Sequence, residues 1–182
     1  MDIILGIDEV GRGCWAGPLV AGAVILKNDI EGLRDSKKLS ATKRVRLAKQ
    51  IHAQSHVGLG WVSPQEVDSL GLTKAVGLAM ERAVAKISED YSHMVIDGSI
   101  NYFPNEKRAI AVIKADDSVP AVSAASIVAK VARDTHMAEI ATLHPSYGFE
   151  KHVGYGTKQH IEALARHGVT SLHRRSYKPI QE

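Results

Sequence analysis

Cysteine is nearly absent from this sequence, which has Cys14 alone among 182 residues. A single cysteine excludes an internal disulfide, and it also excludes a structural zinc site built on several cysteines. This usage is typical of proteins from a reducing compartment, so we expect a cytoplasmic location.

Long apolar runs are also missing. No run approaches the roughly 18 residues that indicate a membrane-spanning helix. The apolar start, Met1 to Leu5, is too short for a secretory signal peptide. We therefore expect neither a membrane partner nor a targeting segment. The length of 182 residues and the absence of internal repeats predict one domain, residues 1–182.

Charge is only mildly unbalanced, with 23 Lys and Arg against 20 Asp and Glu and a formal net charge of +3. The basic residues are concentrated in two stretches, DSKKLSATKRVRLAKQ (35–50) and HRRSYK (173–178). Such clusters are compatible with an anionic partner, and equally with ordinary solvated surface charge.

Apolar periodicity predicts alternating strands and helices. We expect strands at residues 3–8, 18–26, 57–62, 93–98 and 108–117. We expect helices from the cap at Ser40 to about residue 54, at a turn opened by Pro64, and at residues 73–87, 119–144 and 157–167. The predicted fold class is α/β: a mixed β-sheet flanked by helices, with a helical C-terminal segment at about residues 145–182.

Three of the predicted strands run into carboxylates, namely Asp8 with Glu9, Asp97, and Asp116 with Asp117. Strand ends lie side by side in an α/β sheet, and ligands bind beyond them. Clustered carboxylates repel one another unless a cation lies among them, and oxygen ligands favour Mg²⁺ or Mn²⁺ over zinc. Two such ions about 4 Å apart are a common device for hydrolysing phosphodiesters. The alternative is that these acids are turn residues or helix caps.

The segment GRG follows the first acids. Gly11 and Gly13 leave the backbone open to a substrate, and Arg12 offers donors to a phosphate. A dinucleotide-binding loop is the alternative. The spacing to Gly17 misses G-x-G-x-x-G by one residue, and the β-rich run after Pro18 does not supply the required helix.

Six blocks occur in order along the chain: GIDEVGRG, DSKKLS, VIDG, KADDSVPAVSAASIVAKVARD, YGFEKHVGYGT and HRRSY. Together they resemble ribonuclease HII, the bacterial type 2 ribonuclease H, over residues 6–177. The resemblance implies a ribonuclease H-like fold and an endonuclease that hydrolyses the RNA strand of RNA–DNA hybrids. It also implies incision 5′ to single ribonucleotides in duplex DNA, leaving 5′-phosphate and 3′-hydroxyl ends. A monomer acting in DNA replication and ribonucleotide excision repair is implied as well.

The resemblance assigns roles to the residues at matching motif positions. The catalytic residues, which would hold two Mn²⁺ or Mg²⁺ ions, are Asp8, Glu9, Asp97 and Asp116. The substrate-binding residues would be Gly11, Arg12, Gly13, Ser36, Lys37, Lys38, Tyr155, His173, Arg174 and Arg175. Among them, the GRG loop would sense the 2′-hydroxyl and Tyr155 would stack on a sugar, while the basic residues would contact phosphates.

Some positions depart from the family pattern. Cys14 and Trp15 stand where many bacterial members have Pro-Leu, and Asp117 stands where serine is frequent. We assign the metal ligand to Asp116 by register, and we expect Asp134 to pair with Lys130. The C-terminal residues SYKPIQE contain no glutamine-plus-aromatic motif, so a sliding-clamp partner is not indicated.

Two other function classes deserve comparison. A binding module that grips hybrid duplex without cutting would have lost a ligand acid, but all four acids are present. A different two-metal nuclease of the same fold, such as a resolvase, would not need the GRG loop or Tyr155.

Overall fold

The computed structural model describes residues 2–181, so the predicted domain ends, residues 1 and 182, lie outside the described residues. Within this range the chain forms one mixed five-stranded sheet with helices on both faces. The strands are β1 (Ile4–Val10), β2 (Leu19–Leu26), β3 (Ser55–Val62), β4 (His93–Asp97) and β5 (Ala109–Val112). The helices are α1 (Ala41–Gln54), α2 (Pro64–Leu70), α3 (Leu72–Val84), α4 (Ala115–Ser118), α5 (Pro120–Leu143), α6 (Phe149–His152), α7 (Lys158–His167) and α8 (Lys178–Gln181), with a 3₁₀ turn at Ser36–Lys38. The α/β class is confirmed.

The sheet order is β3-β2-β1-β4-β5, so β1 is the central strand. β1, β2 and β3 pair antiparallel, as the short glycine-rich link after β1 predicts, whereas β4 and β5 run parallel to β1. Ile7 pairs with Ile96, so the residues that follow them, Asp8 and Asp97, reach the same edge of the sheet.

Two hydrophobic layers cover the sheet. One face packs against α2 and α3, and the other packs against α1 and α5. A third cluster joins the end of α5 to α6, α7 and the link after β1. No helix among residues 2–181 is both long and apolar enough to cross a membrane.

The predicted strand at residues 108–117 is too long. β5 ends at Val112, Lys114 takes a left-handed conformation with φ 59°, and Asp116 and Asp117 lie on the single turn of α4. The chain bends here because the carboxylate of Asp97 accepts the N–H of Ala115 at 2.8 Å, which fixes the start of α4. Conversely, β1 continues past the predicted end, so Asp8 and Glu9 lie inside it.

Glycines let α5 approach the sheet closely, as its small side chains predict. A Cβ on Gly6 would overlap the backbone of Ala121, and one on Gly22 would meet the carbonyl oxygen of Ala125 at 2.5 Å. Side chains alternate along a strand, so Gly6 and Asp8 share the face that α5 covers. The close approach therefore brings α5 beside Asp8.

Substituting Gly6 with alanine should lower the free energy of unfolding by about 1–3 kcal/mol, because the new methyl group must displace the α5 backbone. Urea unfolding measures this change. The matched control is Gly13→Ala, since a Cβ there meets nothing closer than 3.9 Å. Equal stability of the two variants would contradict the close-packing argument.

Candidate active site

Three aspartates from three elements meet at one edge of the sheet. Asp8 comes from β1, Asp97 from β4 and Asp116 from α4, and one carboxylate oxygen of each lies within 4.8 Å of the others. Asp8 and Asp116 are buried, at 7% and 8% exposure. Among residues 2–181 this is the one group of acids, histidines or cysteines with such spacing.

Hydrogen bonds hold two of these aspartates in place. An Asp8 oxygen accepts the N–H of Glu9 at 2.7 Å, and the Ser126 side chain of α5 lowers the pKa of Asp8. The main-chain carbonyl of Asp116 accepts the hydroxyl of Ser123 at 2.6 Å, which ties α4 to α5. Asp8 is therefore held through its carboxylate and Asp116 through its main chain.

The group is electrostatically unfavourable without a cation. Burial raises the pKa of Asp8 well above its ordinary value, and the charges of Glu9 and Asp97 raise it further. Burial, then the charge of Asp97, also raises the pKa of Asp116. Because these pKa values are raised in the folded state, the metal-free protein should lose stability as pH rises through them. An all-oxygen, negatively charged donor set of this kind fits a hard divalent cation.

Glu9 stands beside this group. Its Oε1 accepts from the Arg12 guanidinium at 3.2 Å, and burial raises the pKa of Glu9 while Arg12 opposes the rise.

Asp117 points to a different partner, the Lys38 ammonium, at 2.6 Å. The structure thus brings Asp116 rather than Asp117 to the other aspartates, in agreement with the assignment by register. The predicted Lys130–Asp134 pair is confirmed at 2.8 Å.

Two buried guanidinium groups hold the link between β1 and β2. Arg133 of α5 donates to the carbonyls of Pro18, Ala16 and Val153 at 2.8–3.1 Å. Arg174 donates to the carbonyls of Arg12 and Gly17 at 3.0–3.2 Å. Both arginines are 0% exposed. The GRG loop is therefore anchored from below, while Arg12 and Gly13 face outward.

Tyr155 lies across from the GRG loop. Its ring carbon Cε1 is 3.9 Å from the position that a Cβ on Gly13 would occupy, and the residue is 40% exposed. Burial raises the pKa of Tyr155 to about 12, with a further rise from the neighbouring Cys14. The ring and the bare backbone of Gly13 thus form one surface beside the aspartates.

The structure places several predicted substrate-binding residues elsewhere. Ser36, His173 and Arg174 are at most 3% exposed, so their side chains do not reach a phosphate. The hydroxyl of Ser36 is hydrogen-bonded to Ser126. The guanidinium N–H groups of Arg174 donate to backbone carbonyls. Direct substrate contacts by these three side chains stay a prediction, which would require the side chains to leave these hydrogen bonds. Lys37, Lys38 and Arg175 are exposed.

Sequence reasoning missed three positioning residues, Ser126, Arg133 and His160. Arg133 interrupts the small-residue pattern of α5, and a lone arginine on a buried helix face is a signal that could have found it. His160 lies behind Tyr155 and is fully buried, which no feature of the sequence indicates.

Comparisons with known proteins point in one direction. A family model described as ribonuclease HII matches residues 5–180. The chain is 50% identical to ribonuclease HII of Shewanella pealeana over 181 residues, covering 97% of this chain and 88% of that relative. The PCNA:RNase HII complex from Archaeoglobus fulgidus contains a similar structure, with a TM-score of 0.80, 28% identity and 97% and 95% of the two chains covered. The fold is also similar to that of Bst-RNase HIII in complex with Mn²⁺, with a TM-score of 0.76, 22% identity and 98% and 68% covered.

Saturating Mn²⁺ should stabilise the protein by about 2–3 kcal/mol, as expected for a ligand in about 100-fold excess over its Kd. Asp97→Asn should lose more than half of this gain, since it keeps the oxygen facing Ala115 but removes a charge from the group. Thermal unfolding with and without Mn²⁺ measures both effects.

The control for this experiment is Asp117→Asn, which removes an acid next to the group that is already paired with Lys38. This variant should keep the full Mn²⁺ stabilisation. If Asp117→Asn loses as much as Asp97→Asn, the cation does not bind among the three aspartates.

Proposed function

This chain belongs to the ribonuclease HII family and is a ribonuclease H, an endonuclease that cleaves RNA in RNA–DNA hybrids; from that premise we propose that it also incises duplex DNA 5′ to single embedded ribonucleotides. The products would be a 5′-phosphate and a 3′-hydroxyl. The proposal includes action as a monomer in ribonucleotide excision repair and DNA replication. The supporting observation is that β1 leads from the aspartates directly into the GRG loop, which Tyr155 faces.

We propose Asp8, Glu9, Asp97 and Asp116 as the residues that hold two divalent ions, Mn²⁺ or Mg²⁺. The clustered carboxylate oxygens and the raised pKa values of Asp8 and Asp116 fit such cations, and the related Bst-RNase HIII is described in complex with Mn²⁺. When bound, the ions would activate water and stabilise the leaving oxygen. Glu9 lies outside the three clustered aspartates and contacts Arg12, so ligation by Glu9 would require it to leave that contact.

Recognition of the ribonucleotide rests on the surface formed by Gly13 and Tyr155. The missing side chain at Gly13 lets a sugar approach the backbone, and the exposed ring of Tyr155 offers a flat face for that sugar. Contacts with a 2′-hydroxyl are how a protein tells RNA from DNA at one position. Arg12, which is exposed, would move from Glu9 to a phosphate when Glu9 turns to a cation.

The exposed basic residues would contact the phosphates that lie away from the cleavage point. Lys37 and Arg175 are free to reach a backbone phosphate, and Lys38 would exchange its contact with Asp117 for one. Such contacts orient a duplex without reading its sequence. This division places chemistry at the sheet edge and duplex positioning around it.

The direct test is incubation with a duplex that contains one ribonucleotide and with its all-DNA twin, in Mn²⁺ and in Mg²⁺. We expect incision only of the first duplex, at the 5′ side of the ribonucleotide. Asp97→Asn should reduce the rate by at least about 10³-fold while duplex binding persists, because the variant lacks a ligand but keeps the surface. Equal cutting of both duplexes would refute the proposal.

Tyr155→Ala should slow incision at a single ribonucleotide by about 10- to 100-fold, since the sugar loses the group that positions it. Its melting temperature should change little because 40% of the residue is exposed. Tyr155→Phe is the matched control, as it keeps the ring and removes only the hydroxyl near Cys14. A large fall in melting temperature with normal incision would assign Tyr155 a packing role.

A further inference from the structure

A pair of buried histidines lies behind the Tyr155 loop. His160 of α7 is 0% exposed and His173 is 2% exposed. Their Nε2 atoms are 3.1 Å apart, which is a hydrogen-bond distance. Neither the fold nor the proposed chemistry requires two imidazoles at this place.

The partners of the two rings define their tautomers. The carbonyl of Tyr155 accepts only, so Nδ1 of His160, at 3.0 Å, must carry the proton. The N–H of Thr170 donates to Nδ1 of His173 at 3.0 Å, so in neutral His173 the proton is on Nε2. His173 then donates to the bare Nε2 of His160. The four groups form a one-directional series of donors from Thr170 to Tyr155.

This series requires both rings to be neutral. A proton added to Nε2 of His160 would make both Nε2 atoms donors, and a proton added to Nδ1 of His173 would face the N–H of Thr170. Burial lowers the pKa of His160, and burial followed by the charge of His160 lowers the pKa of His173 to about 4. At neutral pH the pair is therefore uncharged and intact.

The pair joins two segments that both hold the link between the GRG loop and β2. On one side, the carbonyl of Gly154 accepts the N–H of Trp15 at 2.8 Å, next to Tyr155. On the other, the N–H of Gly17 donates to the carbonyl of Leu172 at 2.8 Å, next to His173. A change in the histidine pair would thus shift Tyr155 relative to Gly13.

A metal site is a poor alternative for these histidines. His152 lies close by, but its ring is stacked on that of His160 with centroids 4.7 Å apart and planes 15° apart. Its Nε2 donates to the carbonyl of Tyr147 at 2.8 Å, and its Nδ1 accepts the N–H of Gly154. The ring nitrogens of all three histidines are already engaged.

We propose that His160 and His173 are a positioning pair that sets the Tyr155 ring against Gly13 and thereby controls incision at single ribonucleotides. This inference rests on the proposed contact of Tyr155 with the substrate. Neither histidine touches the substrate, and both act through the carbonyl of Tyr155.

Two substitutions at His160 separate its two hydrogen bonds. His160→Asn places an amide N–H where Nδ1 lies and keeps the donor to Tyr155, whereas His160→Gln places its amide where Nε2 lies and keeps only the contact with His173. We expect His160→Gln to slow incision at a single ribonucleotide by about 10- to 100-fold. His160→Asn should retain most of the wild-type rate, and Tyr155→Ala combined with His160→Gln should be no slower than Tyr155→Ala alone.

Equal rates for His160→Asn and His160→Gln would overturn the proposal, as would a double variant whose losses multiply. If His160→Gln does not fold, His173→Asn and His173→Gln replace it. His173→Gln keeps the donor toward His160 and should be active, whereas His173→Asn lacks that donor and should be slow.

NMR of ¹⁵N-histidine-labelled wild-type protein tests the pair without any substitution. The expected tautomers are Nδ1–H for His160 and Nε2–H for His173, and any other pattern overturns the series of donors. The result does not depend on activity. A wild-type protein with these tautomers that fails to incise the ribonucleotide duplex would refute the proposed function and leave the hydrogen-bond pair established.

Discussion

Mutual repulsion among three clustered carboxylates, two of them buried, is the constraint on which the rest of this structure depends. One oxygen from each of Asp8, Asp97 and Asp116 lies within 4.8 Å of the others, and burial makes the negative charges of Asp8 and Asp116 more costly. The fold opposes the repulsion with local donors, namely the N–H groups of Glu9 and Ala115. Two parallel strands and one helical turn supply the scaffold.

The link between β1 and β2, which includes the GRG loop, is held by positively charged side chains. Arg133 and Arg174 are buried, and within residues 2–181 neither forms an ion pair with a carboxylate. Their partners are mainly backbone carbonyls, which satisfy the N–H groups without cancelling the charge. Positive charge therefore remains beneath the GRG loop, which follows the strand that carries Asp8.

Most of the fold and the acidic group could be predicted from the sequence because they depend on periodic or local patterns. Alternating apolar runs locate four of the five strands to within two residues at each end, and Ser40 marks the start of α1. The position of Asp116 was harder, because α4 begins where Asp97 supplies a hydrogen bond across 18 residues of sequence. A contact between distant residues leaves no periodic signal in the sequence. The apolar pattern therefore predicts a continued strand where the chain bends after β5.

The basic C-terminal block shows why side-chain roles were less predictable than strands. Lysine and arginine are exposed on average, so HRRSY predicts a phosphate-binding surface. Arg174 and His173 are buried instead. The guanidinium of Arg174 donates to the carbonyls of Arg12 and Gly17, and Nδ1 of His173 accepts the N–H of Thr170. Arg175, the next residue, is exposed, so residue type alone did not separate neighbours in one short block. What separates them is the geometry of the link after β1, whose carbonyls point inward and require donors from beneath.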